Sequence, residues 1–520
     1  MAKLDGFLKA VGYDSTKKTT VKTEIIAGIV TFLAMAYILT VNPNQILWGG
    51  ALTAEGATFT PTDNVLWPSI FMATAFGAII GTLLMAFFAK MPLAQASGMG
   101  LNSMIGTIIG GGVGFVSTYV FDFTIGQALS MVLISGIIFL LLSVITINGK
   151  SFRELVFDGM PVAVRSAISI GIGLFIAYIG FQNAGIIVTN QYTQVAFVDF
   201  TNWGEQMIQW SGSSGFAAKT ATVAFVGLFL IAILDKLNVK GSVIFGILGA
   251  TVVGIPLGVT DLSVIAGNVP GISWKFWENF GNFFAGGENS VFGSFASVFK
   301  TGFPEGSLFT IIMIVITMCM IDMFDTMGTI VGCCGGNRVL SDENDKPYNY
   351  DKIMMSDSIA TCAGAILGTS TVTTFVESGA GVSAGGRTGL TAFTTACLFF
   401  LAIFIMPVFA TIPSAATASA LIYVGVLMMK NNVKSVDFSD AINATSAFLT
   451  IVVMVLSYSI TKGIGVGLIV YTIMKAITYV VEYVKFLLNK GEKPVWEVSL
   501  VTVIVTALFL VYFFVPVTAF

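Results

Sequence analysis

The chain has 520 residues, of which 55% are hydrophobic and 10% are charged, and its formal net charge is −3. Soluble domains carry about 25% charged residues, so this composition excludes a soluble globular protein and indicates an integral membrane protein in a lipid bilayer. No basic patch marks a nucleic-acid surface, no histidine is present, and the five cysteines lack metal-ligand spacing. We therefore expect neither nucleic acid nor a metal as a partner.

Apolar runs recur along the whole chain, and most approach the roughly 20 residues needed to cross a bilayer. The leader at 1–22 is too polar and basic for a signal peptide, so we expect the first run to remain in the protein. The runs fall at 24–46, 68–89, 93–109, 126–147, 163–188, 220–235, 240–258, 308–334, 352–370, 373–383, 387–411, 415–430, 440–460, 464–484 and 497–517.

Lysines and arginines indicate the orientation of these runs. They cluster before the first run and in alternate connections, whereas the segments 47–67, 110–125 and 189–218 contain none. The positive-inside rule then predicts a cytoplasmic N-terminus in the cell membrane, seven crossings, and a long external connection at 259–307. The run 497–517 is left over after two sets of seven, so either it is an added helix or the region 440–484 does not cross the membrane twice.

Polar residues mark the ends of two runs in the first half. Asn42-Pro43-Asn44 ends the first run, and because proline removes a backbone hydrogen bond, we interpret this motif as a helix stop at the external surface. Gln182 and Asn183 close the fifth run, where they are candidates to line the second face of a cleft.

An internal repeat relates the two halves of the chain. Ala96-Ser-Gly-Met-Gly-Leu101 resembles Glu377-Ser-Gly-Ala-Gly-Val382, and Ser378 lies 281 residues after Ser97. The same offset maps the first two runs onto the eighth and ninth. Because each half holds seven spans, an odd number, the second half crosses the membrane in the opposite direction. This is the inverted-repeat plan of secondary transporters.

The segment 371–390 separates two apolar runs, yet it contains Glu377, Arg387 and five glycines. Its β-branched and aromatic first half predicts an extended segment, with an apolar helix resuming only after about Ser383. Gln95–Asn102 is the equivalent break in the first half. Irregular backbone at membrane depth persists only against protein or a water-filled cavity. A re-entrant packing loop with a glycine-rich helix contact is the alternative.

Two carboxylates mark the eighth run, where Asp322 and Asp325 are three residues apart and share one helix face. A charge in hydrocarbon costs about 2.5–3.5 kcal/mol on insertion scales, so both side chains should face a cavity or a partner. We expect Arg387 either to pair with Asp322 or to anchor its own helix at the interface.

Half-helices that start near the midplane from opposite sides point their free N–H groups at one spot. Ionised carboxylates beside that spot suit a planar solute with adjacent N–H groups, such as a nucleobase, better than an anion. Asn102 offers both a donor and an acceptor, and Phe324 and Phe375 are candidate stacking faces.

Five motifs are long enough to be specific: Tyr37-Ile-Leu-Thr-Val-Asn-Pro43, Gly98-Met-Gly-Leu-Asn102, the glycine-rich 171–187, Asp322-Met-Phe-Asp-Thr-Met-Gly-Thr329 and Glu377-Ser-Gly-Ala-Gly-Val-Ser-Ala-Gly-Gly-Arg-Thr-Gly-Leu-Thr391. They resemble the AzgA-type purine permeases of the nucleobase–ascorbate, or uracil-permease-like, group. The resemblance implies an all-α polytopic membrane protein with fourteen spans in two inverted sevens and short extended segments in spans 3 and 10. It also implies proton-coupled uptake of hypoxanthine, guanine or adenine.

The resemblance further implies a core domain, spans 1–4 and 8–11, that moves against a gate domain, spans 5–7 and 12–14, and it suggests a homodimer. The boundaries that follow are the cytoplasmic N-terminus 1–22, the core segments 23–147 and 308–411, the gate segments 148–258 and 412–520, and the external connection 259–307.

Purine binding is carried over from the resemblance to Asp325 and Glu377, with third-span contacts at Gly100 and Asn102. Ser97 and Gly379 stand where the family commonly has Pro and Ala, which leaves the choice among purines open. One of Glu377, Asp325 and Asp322 is expected to carry the coupling proton, although sodium stays open as the driving ion. The expected substrate site comprises Asp325, Glu377, Asn102, Gly100, Ser378, Phe375, Phe324 and Thr329.

Two other functions are compatible with parts of this sequence. An anion carrier or channel on the same fold would want a basic residue, or no acid, at the breaks, which Glu377 and Asp325 contradict. An intramembrane aspartyl protease needs two aspartates on facing segments, whereas Asp322 and Asp325 share one helical turn. The chain has no GxxxxGK[ST] phosphate loop, so we expect neither ATP hydrolysis nor a cofactor.

Overall fold

The computed structural model of the protein is almost entirely helical. Among the described residues, seven helices are long and apolar enough to cross a membrane, and six shorter apolar helices of 10–17 residues accompany them. The structure describes residues 2–14, 19–48, 64–109, 123–147, 150–151, 159–190, 192–201, 203, 215–239, 241–265, 272–286, 290–334, 339–341, 347–488 and 492–514.

Spans 1 to 3 each depart from a plain helix. Span 1 is divided near Ala36 and Tyr37, span 2 ends in a π-helical turn, and span 3 is a strand followed by a short helix. The bounds are Val21–Met35 and Ile38–Trp48 (span 1), Trp67–Leu84 with Met85–Ala89 (span 2), β1 at Gln95–Ser97 with Met99–Ile109 (span 3), Ile125–Val144 (span 4), Val162–Asn183 (span 5), Gly215–Lys236 (span 6) and Ser242–Gly254 (span 7).

The connections also contain regular structure that the sequence analysis did not anticipate. Two antiparallel hairpins follow spans 4 and 5, and a short aromatic helix in the connection between spans 7 and 8 packs against span 2. These elements are β2 at Thr146–Ile147 with β3 at Lys150–Ser151, β4 at Ile187–Asn190 with β5 at Gln194–Phe197, the helices Phe276–Ala285 and Val298–Thr301, the 3-10 turn Ser294–Ser297, and the N-terminal helix Ala2–Ala10.

The second half repeats the pattern of the first. Its bounds are Leu308–Cys334 (span 8), Tyr350–Leu367 (span 9), β6 at Val372–Thr374 with Ser378–Ser383 (span 10), Gly389–Ile403 with Met406–Ala410 (span 11), Ser414–Asn432 (span 12), Ala441–Leu456 (span 13) and Ile460–Leu487 (span 14). The region 440–484 thus forms two helices. The leftover run forms a further helix, Leu500–Phe514, which packs against spans 8 and 14.

The Asn42-Pro43-Asn44 motif does not stop span 1 at the external surface, so that prediction is wrong. The helix Ile38–Trp48 passes through Pro43, and Asn42 is fully buried. Asn42 Nδ2 donates to Thr74 Oγ1 at 2.6 Å and to Thr369 Oγ1 at 2.8 Å. Proline is tolerated inside a membrane helix where neighbouring groups satisfy the backbone, and these internal partners keep the amide inside the protein.

Spans 3 and 10 meet through their extended segments. Strands β1 and β6 pair antiparallel, with Ala96 opposite Thr373, and all six residues of the pair are buried. Beyond the strands, Gly98 N donates to Thr371 O at 2.9 Å and Phe375 N donates to Ala94 O at 3.0 Å. Each segment therefore satisfies the backbone groups that the other leaves free, which is what lipid cannot do.

The helices pack in two groups that repeat the same contacts in both halves. In one group, span 1 packs on span 11 as span 8 packs on span 4, and spans 2 and 9 touch each other. In the other, span 5 packs on span 13 as span 12 packs on span 6, and spans 5 and 12 form a long contact. This reciprocity is the signature of a seven-plus-seven inverted repeat.

Span 10 regains helical structure earlier than expected. The glycine-rich Ser378–Ser383 is itself a helix, whereas the sequence predicted an apolar helix only after about Ser383. Gly381 packs directly against span 1, where an added Cβ would collide with Thr31 Oγ1. Small residues at membrane helix contacts allow such close approach.

The strand pairing also refines the internal repeat. Thr373 follows Ala96 by 277 residues, four fewer than the offset of the glycine motifs. Two of these four residues arise because Phe375–Glu377 separate strand and helix in span 10, whereas Gly98 alone separates them in span 3. By strand position, the counterpart of Glu377 is Gly100 rather than Ala96.

Candidate functional site

Glu377 lies where span 10 changes from strand to helix, as the N-cap residue of Ser378–Ser383. Its side chain is 8% exposed. The Tyr37 hydroxyl donates a hydrogen bond to Glu377 Oε1 at 2.5 Å. Oε2 is buried and has no hydrogen-bond partner among the described residues. A buried acceptor left without a donor is costly, so Oε2 is an acceptor suited to a donor from outside the protein.

Asp325 is the second acid at this break. It lies on span 8, is partly exposed, and interacts electrostatically with Glu377 and Asp357. Within the described part of the chain, no hydrogen-bond donor reaches its carboxylate. Asp322, one helical turn earlier, is fully buried and accepts a hydrogen bond from Thr361 Oγ1 at 3.3 Å. The structure therefore brings Asp325 to the break and turns Asp322 towards span 9.

Span 9 contributes a carboxylate that the sequence analysis missed. Asp357 is fully buried, and its Oδ1 accepts hydrogen bonds from Gln95 Nε2 at 3.1 Å and Thr374 N at 3.2 Å. Thr326 Oγ1 donates to its Oδ2 at 2.9 Å. One side chain thus joins spans 3, 8, 9 and 10. The signal was available, because an acid inside an apolar run marks a site by default.

The two residues expected at the site from span 3, Asn102 and Gly100, are buried in contacts inside the protein. Asn102 is fully buried, its Oδ1 accepts a hydrogen bond from Ser370 Oγ, and its Nδ2 donates to Ser97 O at 3.4 Å. Gly100 faces span 5, where a Cβ would lie 3.0 Å from Ile172 Cγ2. Gly100 therefore lies where the two helix groups touch.

The remaining expected site residues surround the span-10 break. Ser378 is fully buried, and its Oγ accepts a hydrogen bond from Ala94 N at 3.0 Å. Phe375 and Thr329 are also buried. Phe324 belongs to the span-8 helix, but its side chain lies outside the described residues. Of the expected residues, the structure thus brings Glu377 and Asp325 together as open acceptors.

Gln182 and Asn183 lie away from this point. Ile172 of span 5 contacts the Gly100 position, and Gln182 follows it by ten residues, which is about 15 Å along a helix. None of the described hydrogen bonds joins these two side chains to either break. Their assignment to a cleft stays a prediction.

Arg387 has a role that neither expectation described. Its Nη1 donates to Val382 O at 2.5 Å and to Gly386 O at 2.7 Å, so it caps the short helix of span 10. The buried Glu24 of span 1 accepts hydrogen bonds from Arg387 N at 2.9 Å and Thr388 N at 3.3 Å. The Arg387 side chain therefore bonds to backbone carbonyls and not to Asp322. Together with the Glu24 carboxylate, which accepts from the backbone of Arg387 and Thr388, it holds the turn between spans 10 and 11.

A neutral network lies on the other side of the strand pair. Asn42 of span 1 joins Thr74 of span 2 to Thr369, and Thr369 Oγ1 lies 2.7 Å from Ser97 Oγ of β1. The helix pair, 1 and 2, is the first-half counterpart of spans 8 and 9. The first half thus holds its strand with amide and hydroxyl groups where the second half uses Asp357.

Comparison with known proteins identifies the family of this chain. A family model described as a permease family, Xan_ur_permease, matches residues 22–466. This chain belongs to that permease family. The adenine permease AdeP of Escherichia coli is 32% identical over 457 residues, covering 88% of each chain. The guanine/hypoxanthine permease PbuO of Bacillus subtilis is 32% identical over 462 residues, covering 88% of this chain and 93% of its own.

These relatives confirm the resemblance to purine permeases drawn from the motifs, and they show that the permease is a multi-pass membrane transporter rather than an enzyme. The fold has a solved counterpart in the transmembrane domain of a cyanobacterial bicarbonate transporter, BicA. That match has a TM-score of 0.55 at 14% identity and covers 85% of this chain and 97% of the other. The intramembrane-protease reading is therefore wrong.

Proposed function

We propose that this permease imports purine nucleobases, with hypoxanthine, guanine and adenine as the substrate class, by secondary active transport. The observation that carries the proposal is the open Oε2 of Glu377 beside the open carboxylate of Asp325. Acceptor-only groups select a solute that presents N–H donors. The relatives named as adenine and guanine/hypoxanthine permeases support the same class.

The proposed binding mode follows from the acceptors. A purine edge donates one N–H to Glu377 and a second to Asp325, while backbone N–H groups at the short helices meet its ring acceptors. Phe375 and Thr329 would close the pocket around the ring, and Phe324 stays a predicted stacking face. Gly100 admits close approach of span 5, and Asn102 holds the span-3 break in shape through Ser370.

We also propose that transport is coupled to protons, and that Asp325 is the carboxylate that binds the coupled proton. Asp357 is occupied by donors from three sides, and Glu377 accepts the Tyr37 hydroxyl. Asp325 lacks such donors within the described residues and interacts with both acids. A proton on Asp325 relieves the repulsion among three carboxylates and changes the charge of the carrier.

The proposed transport cycle moves the two helix groups against each other. Glu377, Asp325 and both strands belong to the group of spans 1–4 and 8–11, whereas Ile172 on span 5 lies across from Gly100. Rocking about this contact opens the site alternately to each side of the membrane. We further propose a cytoplasmic N-terminus and a homodimer.

Uptake in cells that lack their own purine permeases tests the proposal. Radiolabelled hypoxanthine, guanine or adenine should accumulate, xanthine and uracil should enter less well, and an uncoupler should abolish accumulation. Replacing external sodium with potassium should leave uptake unchanged. Accumulation that survives the uncoupler contradicts proton coupling, and uptake that requires sodium assigns the drive to that ion instead.

The second candidate is an anion carrier, which the fold likeness to a bicarbonate transporter motivates. That likeness concerns the fold alone. Two acids at the site repel an anion, so we expect radiolabelled bicarbonate uptake to stay at the level of empty cells. Bicarbonate uptake above that level, with no purine uptake, would overturn the proposal.

A further inference from the structure

Tyr37 lies in the break of span 1, between the helices Val21–Met35 and Ile38–Trp48, and is 1% exposed. Its hydroxyl donates to Glu377 Oε1 at 2.5 Å and lies 3.6 Å from Met99 Sδ. Met99 begins the short helix of span 3, and Glu377 caps the short helix of span 10. A single hydroxyl therefore contacts residues at the start of both half-helices.

The bond to Glu377 has the character of a charge-assisted hydrogen bond, for which O–H···O⁻ distances of about 2.5–2.7 Å are usual. A hydroxyl has one proton to give. Because Tyr37 gives it to Oε1, the carboxylate plane is held in one orientation and Oε2 is left as the open oxygen. A free glutamate side chain would instead lose rotamer freedom when substrate binds, which costs affinity.

We propose that Tyr37 is a positioning residue that orients Glu377, so that the purine meets one open carboxylate oxygen, Oε2, rather than two. This inference rests on the proposed purine site. It limits Glu377 to one substrate N–H and leaves any second N–H to Asp325. Tyr37 acts through Glu377 and does not itself need to contact the purine.

Span 1 is well placed for this role because it is tied to the same helix group as the site. Thr40 Oγ1 donates to Phe409 O at 3.2 Å, and Thr395 Oγ1 donates to Gly28 O at 3.0 Å, so both parts of span 1 are bonded to span 11 and the short helix after it. The Tyr37–Glu377 bond can then persist while the second helix group moves.

The test uses the full-length protein and the radiolabelled purine, among hypoxanthine, guanine and adenine, that the wild type accumulates best. Tyr37→Phe keeps the ring and removes the donor. We expect its KM for uptake to rise about tenfold while Vmax stays within twofold, because the loss falls on substrate binding. Tyr13→Phe is the matched control. It also removes a tyrosine hydroxyl, one that donates to Thr19 O at 3.4 Å and lies away from the breaks. The KM of this variant should equal that of the wild type.

A double-mutant cycle separates positioning from a general structural effect. Purine affinity is measured by isothermal titration on purified wild type, Tyr37→Phe, Glu377→Gln and the double variant. If Tyr37 acts through Glu377, adding Tyr37→Phe to Glu377→Gln changes the affinity by less than twofold. Tyr37→His, which returns a donor on an aromatic ring, should recover part of the loss.

The outcomes are distinct. The positioning role is overturned if Tyr37→Phe has the KM of the wild type. It is also overturned if Tyr37→Phe lowers purine affinity tenfold both in the wild type and in the Glu377→Gln variant. The proposed purine site stands in either case. Wild-type protein that neither binds nor accumulates a purine overturns the proposed function itself. Thermal unfolding of each purified variant in detergent identifies any variant that loses purine uptake because it misfolds. If Tyr37→Phe misfolds, the KM of Tyr37→His tests the positioning role instead.

Discussion

The breaks in spans 3 and 10 pair with each other as strands, yet their surroundings differ in charge. On the side of spans 1 and 2, Asn42, Thr74 and Thr369 form a neutral network. On the side of spans 8 and 9, Thr326 and Asp357 form a charged one. The two networks lie on equivalent pairs of spans in the inverted repeat, spans 1 and 2 and spans 8 and 9.

The difference shows how a symmetric fold makes an asymmetric site. Among the residues that the structure describes, the carboxylates near the strand pair all come from the second half, namely Asp322, Asp325, Asp357 and Glu377. The first half contributes hydroxyl, amide and glycine groups, including Gly100 at the strand-position counterpart of Glu377. We infer that the first half holds the backbone in place, whereas the second half supplies the acceptors for substrate and proton.

The largest effect should come from the buried acid of the charged network. Asp357→Ala leaves the donors of Gln95, Thr374 and Thr326 without an acceptor, so we expect a loss of at least about 3 kcal/mol of stability and no uptake. The counterpart change, Thr74→Val, removes one neutral partner and should cost about 1 kcal/mol. Thermal unfolding of the purified variants in detergent measures both. Equal losses would remove the contrast between the networks.

Glu377→Gln should lower purine uptake about a hundredfold. The glutamine amide replaces one acceptor oxygen with an NH2 donor, which then faces either the Tyr37 hydroxyl or a substrate N–H. Either way a hydrogen bond to a charged group is lost, and such a bond contributes about 1.5–3 kcal/mol. Glu278→Gln is the matched control, because Glu278 is exposed in the connection between spans 7 and 8 and pairs with Lys275 at 3.1 Å. Initial rates normalised to protein at the membrane decide the outcome, and undiminished uptake would remove Glu377 from the site.

Gly98→Ala should disturb the strand pair from the first-half side. A Cβ at this position would lie 2.7 Å from Thr373 Cγ2, so β1 and β6 must shift. Overpacking of this kind costs about 1–3 kcal/mol. We expect uptake to fall about tenfold with a lower unfolding temperature. Wild-type behaviour would show that the pair tolerates a wider spacing than the structure has.

The smallest effect is expected at Gly379, although it lies two residues from Glu377. A Cβ there would meet Cys333 Sγ at 3.6 Å, an ordinary contact, and alanine favours a helix over glycine by about 1 kcal/mol. Gly379→Ala should therefore leave KM within twofold of wild type. A larger change in KM, or a change in the order of preference among purines, would show that glycine in place of the family's alanine at position 379 affects substrate selectivity.

Several features of the site could be found in the sequence because lipid makes polar residues rare. An acid at membrane depth stands out, so the positions of Glu377, Asp322 and Asp325 within apolar runs mark them as candidates. The glycine-rich motifs 281 residues apart predicted the paired breaks. Asp357 carries the same signal as the other acids. Tyr37 begins one of the family motifs, but nothing in the sequence near it indicates a hydrogen bond to Glu377, which is 340 residues away.

The sequence by itself indicated a polytopic membrane protein through its apolar runs and scarce charges, because hydrocarbon imposes span length and penalises charge regardless of folding. The internal repeat added the two inverted halves, and the motifs added the resemblance to permeases. Only the tertiary structure decided which acids stay open and which are occupied. That distinction depends on hydrogen bonds between residues far apart in the chain, such as Tyr37 with Glu377 and Gln95 with Asp357, whose geometry no local pattern records.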